Sequence, residues 1–196
     1  MAQETVSGGR SFEMPEHCRF CRMAVIEKRK PTEVVVNDKM QKNYRYMLTE
    51  PEGKNFHPDF KPELTPIQML AMGVFEGKYM TDCWEEFPEE WFEHAILSPE
   101  KSNPLYNYFG VKSRLSLSEW RRRGWIVGPD VRGWFQWYCR YYYGRRLPEA
   151  DEIQIKRWRS FRRHLAQVEK NCMPSDVACR TRQRQALLQW AYNPVI

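Results

Sequence analysis

The sharpest local pattern of chemically able residues in this sequence is His17-Cys18-Arg19-Phe20-Cys21. A Cys-x-x-Cys spacing sets two thiolates on one tight turn, where they can hold zinc, cycle as a redox dithiol, or stand as two ordinary thiols. A structural zinc site needs four ligands, usually as two such pairs. His17, Cys18 and Cys21 supply three. A second pair would have to be Cys172 and Cys179, whose six-residue gap is poor for the purpose. Two ordinary thiols are therefore the default and zinc the sharper alternative. The even count of six cysteines could form disulfides. However, the first 13 residues are polar and carry no apolar stretch of a secretory signal, so reduced thiols and an intracellular protein, cytoplasmic or nuclear, are expected.

Two acids are candidates for catalysis. Asp82 follows Gly77-Lys78-Tyr79, and Asp130 sits in the turn before an aromatic run. A carboxylate at a loop–helix junction beside rings is where a raised pKa or a cation-steadying role can arise. A helical DNA glycosylase works in that way, with a basic surface for the duplex and an aromatic pocket for the flipped base. The plainer role for both acids is a turn or a helix cap. No phosphate loop, metalloprotease helix, nucleophile elbow or paired deaminase motif is present. The histidines are scattered.

Charge is the broader signal. Residues 1–109 hold 13 Lys/Arg against 18 Asp/Glu, whereas 110–196 hold 18 against 7, and 15 of those 18 cations are arginine. Arginine forks onto phosphate and stacks on bases, and a field of one sign draws polyanions. The named candidates for nucleic-acid contact, to DNA or RNA, are Arg140, Arg145, Arg146, Lys156, Arg159, Arg163, Lys170, Arg182 and Arg184. The competing reading is that acidic and basic halves complement each other across the fold.

The elements that must carry these residues follow from periodicity and caps. Residues 1–13 read as a tail, 14–63 as an N-terminal segment and linker, and 64–196 as a helical domain. A strand or hairpin is expected around the β-branched run Thr32–Val36, and an extended linker over Glu50–Glu63. Thr65, Pro66 and Gln68 form a helix start that Gly73 ends. A short helix is expected near Glu89–Leu97, and Ser116 with Glu119 opens another before Gly124. Between Gly133 and Gly144, Trp134, Trp137, Tyr138 and Tyr141 fall on one helical face, with Gln136 and Arg140 opposite. This helix should lie mostly inside, although the aromatics between Trp120 and Tyr143 exceed what one buried face needs, so some rings should reach the surface as stacking platforms.

The longest helix spans about Glu149–Asn171. It sets Trp158, Phe161, Leu165 and Val168 on one stripe and Lys156, Arg159, Arg163 and Lys170 opposite. A last helix is expected over about Thr181–Tyr192. The stretches Gly133–Tyr142 with Gly144-Arg145-Arg146, Phe75–Cys83 and Arg182–Leu188 are similar to a group of uncharacterised proteins. That resemblance spans roughly Leu64 to Tyr192 and implies a single domain there, with no residue role attached.

Composition supports a folded chain, since 28 of 196 residues are Trp, Tyr or Phe and the mean hydropathy is −0.74. No apolar run approaches the roughly 20 residues of a membrane span, so no membrane partner is expected. The reading is a mainly α protein, a compact helical domain with a small irregular or β-hairpin N-terminal segment. It binds nucleic acid through its Arg-rich and aromatic-rich C-terminal half. A glycosylase- or nuclease-type enzyme and a protein–protein interaction module are the alternatives.

Overall fold

The computed structural model describes residues 28–195. The first element is a hairpin. Strands β1 (Thr32–Val36) and β2 (Tyr44–Leu48) pair antiparallel, from Thr32 opposite Leu48 to Val36 opposite Tyr44. Period-2 alternation turns Tyr46 and Leu48 inward with Val36 and leaves Val35 and Met47 outside. Asp38 closes the connecting loop, its Oδ1 accepting from the backbone N–H of Met40 and Gln41, the local bonding that favours Asp in turns.

The segment expected as an extended linker is folded into the core. Phe60 lies inside a ring cluster, edge-on to Trp137, Tyr138, Tyr141 and Trp158 at centroid distances of 5.0–5.5 Å. Helix α1 (Pro66–Ala71) opens with the expected reciprocal cap between Thr65 and Gln68. From 73 to 106 the chain runs through short 3₁₀ turns. The helix expected over Glu89–Leu97 is one of these, limited to Glu89–Phe92, because its sequence alternates rings with acids and has no continuous apolar face.

Helix α2 (Leu117–Arg122) is capped by Ser116, whose side chain accepts from the Glu119 N–H. Helix α3 (Trp134–Tyr143) is the centre of the molecule. Every residue from Trp134 to Tyr141 is buried, polar Gln136 and Arg140 included. Gly144 ends it with φ 116°, and the Gly144 carbonyl accepts from the N–H groups of Thr49 and Glu50 at 3.0 Å. A Cβ at 144 would run into the Glu50 carbonyl, so only glycine lets the hairpin's exit strap approach this closely. Helix α4 (Pro148–Asn171) and helix α5 (Thr181–Leu188) complete the fold.

Among the described residues helices take 39% and strands 7%. The protein is thus helix-dominated with a small hairpin, and its middle third is irregular. Among the described residues no helix is long and apolar enough to cross a membrane.

Candidate nucleic-acid interface

The cationic residues named from sequence separate into two populations. Arg140 and Arg145 are inside, 0% and 1% exposed, and both grip Asp130, itself 0% exposed. Arg145 forks onto Asp130 with Nη1 and Nη2 at 2.8 and 2.6 Å, and Arg140 Nη1 reaches the same carboxylate at 3.0 Å. Arg140 also forks onto Glu86 through Nε (2.5 Å) and Nη2 (2.9 Å), and donates to Gln41 Oε1. Tyr46 donates its hydroxyl to Glu86 Oε1, and the Tyr44 and Tyr46 rings lie 5.0 and 5.4 Å from the Arg140 guanidinium. One step further, Arg132 bridges Asp38 at 2.9 Å and Asp82 at 3.0–3.2 Å.

Physics explains why so many charges can sit in a core. A buried ion is costly unless it is paired and its remaining hydrogen-bonding capacity is filled. Here three guanidiniums meet four carboxylates through three forks, Arg132–Asp82, Arg140–Glu86 and Arg145–Asp130, the strong geometry for this pair. Two single contacts, Arg132–Asp38 and Arg140–Asp130, complete the set, and Arg145 Nε has no partner among the described residues. Burial by itself would lower the Arg140 and Arg132 pKa values, but Glu86 and Asp130 for the first, and Asp38 and Asp82 for the second, hold both above the ordinary arginine value. Burial pushes Asp38 up, yet Arg132 and the Met40 and Gln41 amides outweigh it and leave the carboxyl below its usual range.

This network corrects several sequence expectations. Arg140 and Arg145 present nothing to a phosphate, because hairpin and turn cover the helix face that a helical wheel alone left open. Asp130 is walled in by two guanidiniums, so no substrate can reach it. Asp82 is more open, its side chain 36% exposed, but it is forked by Arg132. Arg184 is also buried. Its guanidinium donates to the carbonyls of Cys179, Pro194 and Asp176. Arg146 is half-buried, donating to four carbonyls including those of Lys54 and Asn55, with its guanidinium 3.9 Å from the Tyr141 ring centre. Burial lowers its pKa.

The second population faces water. Lys156, Arg159, Arg163 and Lys170 are all exposed on α4, with Arg162 beside them. Opposite them Trp158 and Val168 are buried and Phe161 and Leu165 partly so, which is the two-faced helix expected from the 3.6-residue period. Glu149 and Glu152 occupy the first two turns, so the cation row begins at Lys156. Arg159 pairs with Asp59 at 2.7 Å across a wet surface. Among the described residues, Lys156, Arg162, Arg163 and Lys170 form no ion pair. Arg182, on α5, is likewise exposed. On α2, Arg122 and Arg123 are held by Glu119, whose carboxyl they pull down to about 2.

The rings of α3 are inside, as expected, but the surface platforms expected between Trp120 and Tyr143 are not there. Trp134, Phe135, Trp137, Tyr138 and Tyr141 are buried, and Trp120, Trp125, Tyr142 and Tyr143 are partly so. The aromatic helix is core, and the well-exposed rings are Trp84, Tyr106 and Tyr108. Sequence reasoning overlooked the two tyrosines. Their signal was present in Leu105-Tyr106-Asn107-Tyr108, where apolar side chains fall in a turn-rich stretch with no helical or strand period.

His17, Cys18 and Cys21 lie outside the described residues, and among the described ones no group of three His, Cys, Asp or Glu could hold a metal. Cys172 and Cys179 are joined in a disulfide with Cα atoms 5.8 Å apart, contrary to the reduced thiols expected. The chain folds back between α4 and α5 and so brings them within bridging distance. That bond also removes them as a second zinc pair. Cys83 and Cys139 are buried free thiols, and burial pushes the Cys83 thiol up to about 12. Compared with protein-family models, curated proteins and solved structures, the chain matches none.

Proposed function

We propose that the chain binds nucleic acid through the exposed cationic face of α4, with Arg182 at its margin. The observation that supports this is the row Lys156, Arg159, Arg163 and Lys170, of which only Arg159 forms an ion pair among the described residues. From Lys156 to Lys170 a helix rises about 21 Å at 1.5 Å per residue, close to the length of six base-pair steps. Side chains on so rigid a rod meet a phosphate backbone with little ordering cost beyond their own rotamers.

The test is fluorescence anisotropy with labelled DNA and RNA at several salt concentrations. Log affinity should fall with log salt by about 0.9 for each duplex phosphate neutralised, or about 0.7 for single strands. The variant with Lys156, Arg159, Arg163 and Lys170 all changed to Ala should lose most of that slope, with little change in melting, because exposed substitutions usually stay within about 0.5 kcal/mol each. A flat salt dependence, or unchanged binding by the quadruple variant, overturns the reading.

A further inference from the structure

We propose that the loop 104–115 is a stacking platform for unpaired bases, so that the α4 face takes a single-stranded nucleic acid. The inference rests on the nucleic-acid reading above and names its substrate class.

Tyr106 and Tyr108 are 42% and 50% exposed on this loop. Neither phenol has a hydrogen-bond partner among the described residues. The Tyr108 ring stands edge-on to Phe109 at 4.9 Å and the Tyr106 ring has one edge near Gly77, which orients both rings and leaves about half of each open. The backbone beneath them is firmly held. Asn107 is buried, its Oδ1 accepting from the Glu76 N–H at 2.7 Å and its Nδ2 donating to the Val111 carbonyl at 2.8 Å. The Tyr108 N–H donates to the Gly73 carbonyl, and the Asn103 N–H to that of Glu76. At Gly73, φ is 77° and a Cβ would collide with the Tyr106 carbonyl, so glycine is required for the loop to sit this close. The rings stand on a fixed base and face solvent. This is the preorganisation that lowers the ordering cost of binding.

The surroundings match a polyanion. Residues 104–115 contain Lys112 and Arg114 and no acid, and α5 has no acid and presents Arg182 at its surface, its Arg184 being buried. Glu76, on which the loop is anchored, is buried and paired with Arg114 at 3.0 Å, and Glu100 is the exposed carboxylate four residues before the loop. The loop is also tied to the α4 face through α5. Ser113 Oγ donates to the Arg182 carbonyl at 2.7 Å, and the Phe109 N–H reaches Gln185 Oε1 at 3.2 Å. On the other side of α5, Gln183 Nε2 donates to Gln167 Oε1 and to the His164 carbonyl on α4, next to Arg163. A strand can therefore lie on the tyrosines, pass Arg182 and continue onto Arg163. Stacking needs an open base face, which a duplex hides and a single strand offers.

The experiment compares oligo(dT), oligo(U) and a mixed-sequence duplex, each labelled, against the wild-type chain, Tyr106→Ala/Tyr108→Ala and Tyr106→Phe/Tyr108→Phe. Both single strands should bind more tightly than the duplex. The double alanine variant should weaken them by about five- to 150-fold per ring that stacks on a base. It should leave the duplex and the salt slope almost unchanged, and the phenylalanine variant should retain binding. Loss confined to oligo(dT) or to oligo(U) would still support stacking and would identify the sugar preferred. If single strands bind with a steep salt slope that the alanine variant does not alter, the platform is overturned while the phosphate reading stands. If no probe binds, both fall.

Discussion

Arginines in the same half of this chain do opposite things. Arg140 and Arg145 are enclosed with Asp130 and Glu86, whereas Arg162 and Arg163 stand in water with no carboxylate partner among the described residues. The acids that satisfy the buried set come largely from the acidic half. Asp38, Asp82 and Glu86 cross to Arg132 and Arg140, and Asp59 and Glu76 cross to Arg159 and Arg114. The complementary-halves reading and the polyanion reading are thus both present, at different depths. A charge count along the sequence overstates the field available to a ligand, because part of it is already neutralised in the interior.

The sharpest way to break that distinction is to remove the carboxylate at its centre. Asp130→Ala leaves two guanidiniums without their shared partner, and breaking a buried pair in this way costs about 3–5 kcal/mol. Denaturant melts should show that loss, while nucleic-acid binding by the residual folded protein stays close to wild type. A loss below about 1 kcal/mol would mean that the network is open to water and that its arginines belong with the surface set.

Arg184 sharpens the comparison from within the buried class, since it is satisfied by three carbonyls and by no carboxylate. Arg184→Met keeps much of the packing volume and leaves three neutral acceptors, two of which, the Asp176 and Cys179 carbonyls, lie on the exposed loop 173–180 and can turn towards water. The expected cost is about 1–3 kcal/mol, the range for stranding buried polar groups, and so below that of Asp130→Ala. Equal or greater loss would show that the charge itself, and not the pairing, sets the stability of a buried arginine here.

What the sequence made legible was local. The Thr65–Gln68 and Ser116–Glu119 caps, the Gly144 stop and the two faces of α4 all follow from spacings of three or four residues, and each is present. What it concealed was long-range. Arg140 looked like the outward face of α3 because Glu86, 54 residues earlier, and Gln41, 99 residues earlier, give no sign in the helix period. Phe60 was hidden by the prolines and glycine around it, and the Cys172–Cys179 bond by a turn geometry that spacing cannot fix. For the candidate site, the α4 row was readable as a periodic stripe. The tyrosine loop was not, because irregular backbone leaves no periodic trace.

The smallest expected effect lies on the border between the two classes, at His164. Its ring packs on Phe161 at 4.9 Å and its Nδ1 lies 3.2 Å from Gln183 Nε2, beside the exposed Arg163. Burial lowers its pKa, and the Arg163 charge lowers it further. Folding therefore favours the neutral ring. As pH falls through the unfolded-state value of about 6.5, the unfolded chain takes up the proton first and the folded state loses stability, until the folded-state pKa is passed. Urea midpoints measured from pH 8 to 5 should fall more steeply for wild type than for His164→Gln, which carries no such proton. A polyanion on the α4 face would offset the Arg163 charge and favour the imidazolium, so with oligonucleotide bound the two slopes should converge. If the slopes differ equally with and without oligonucleotide, bound phosphate does not reach Arg163, and the cation row lies off the binding path.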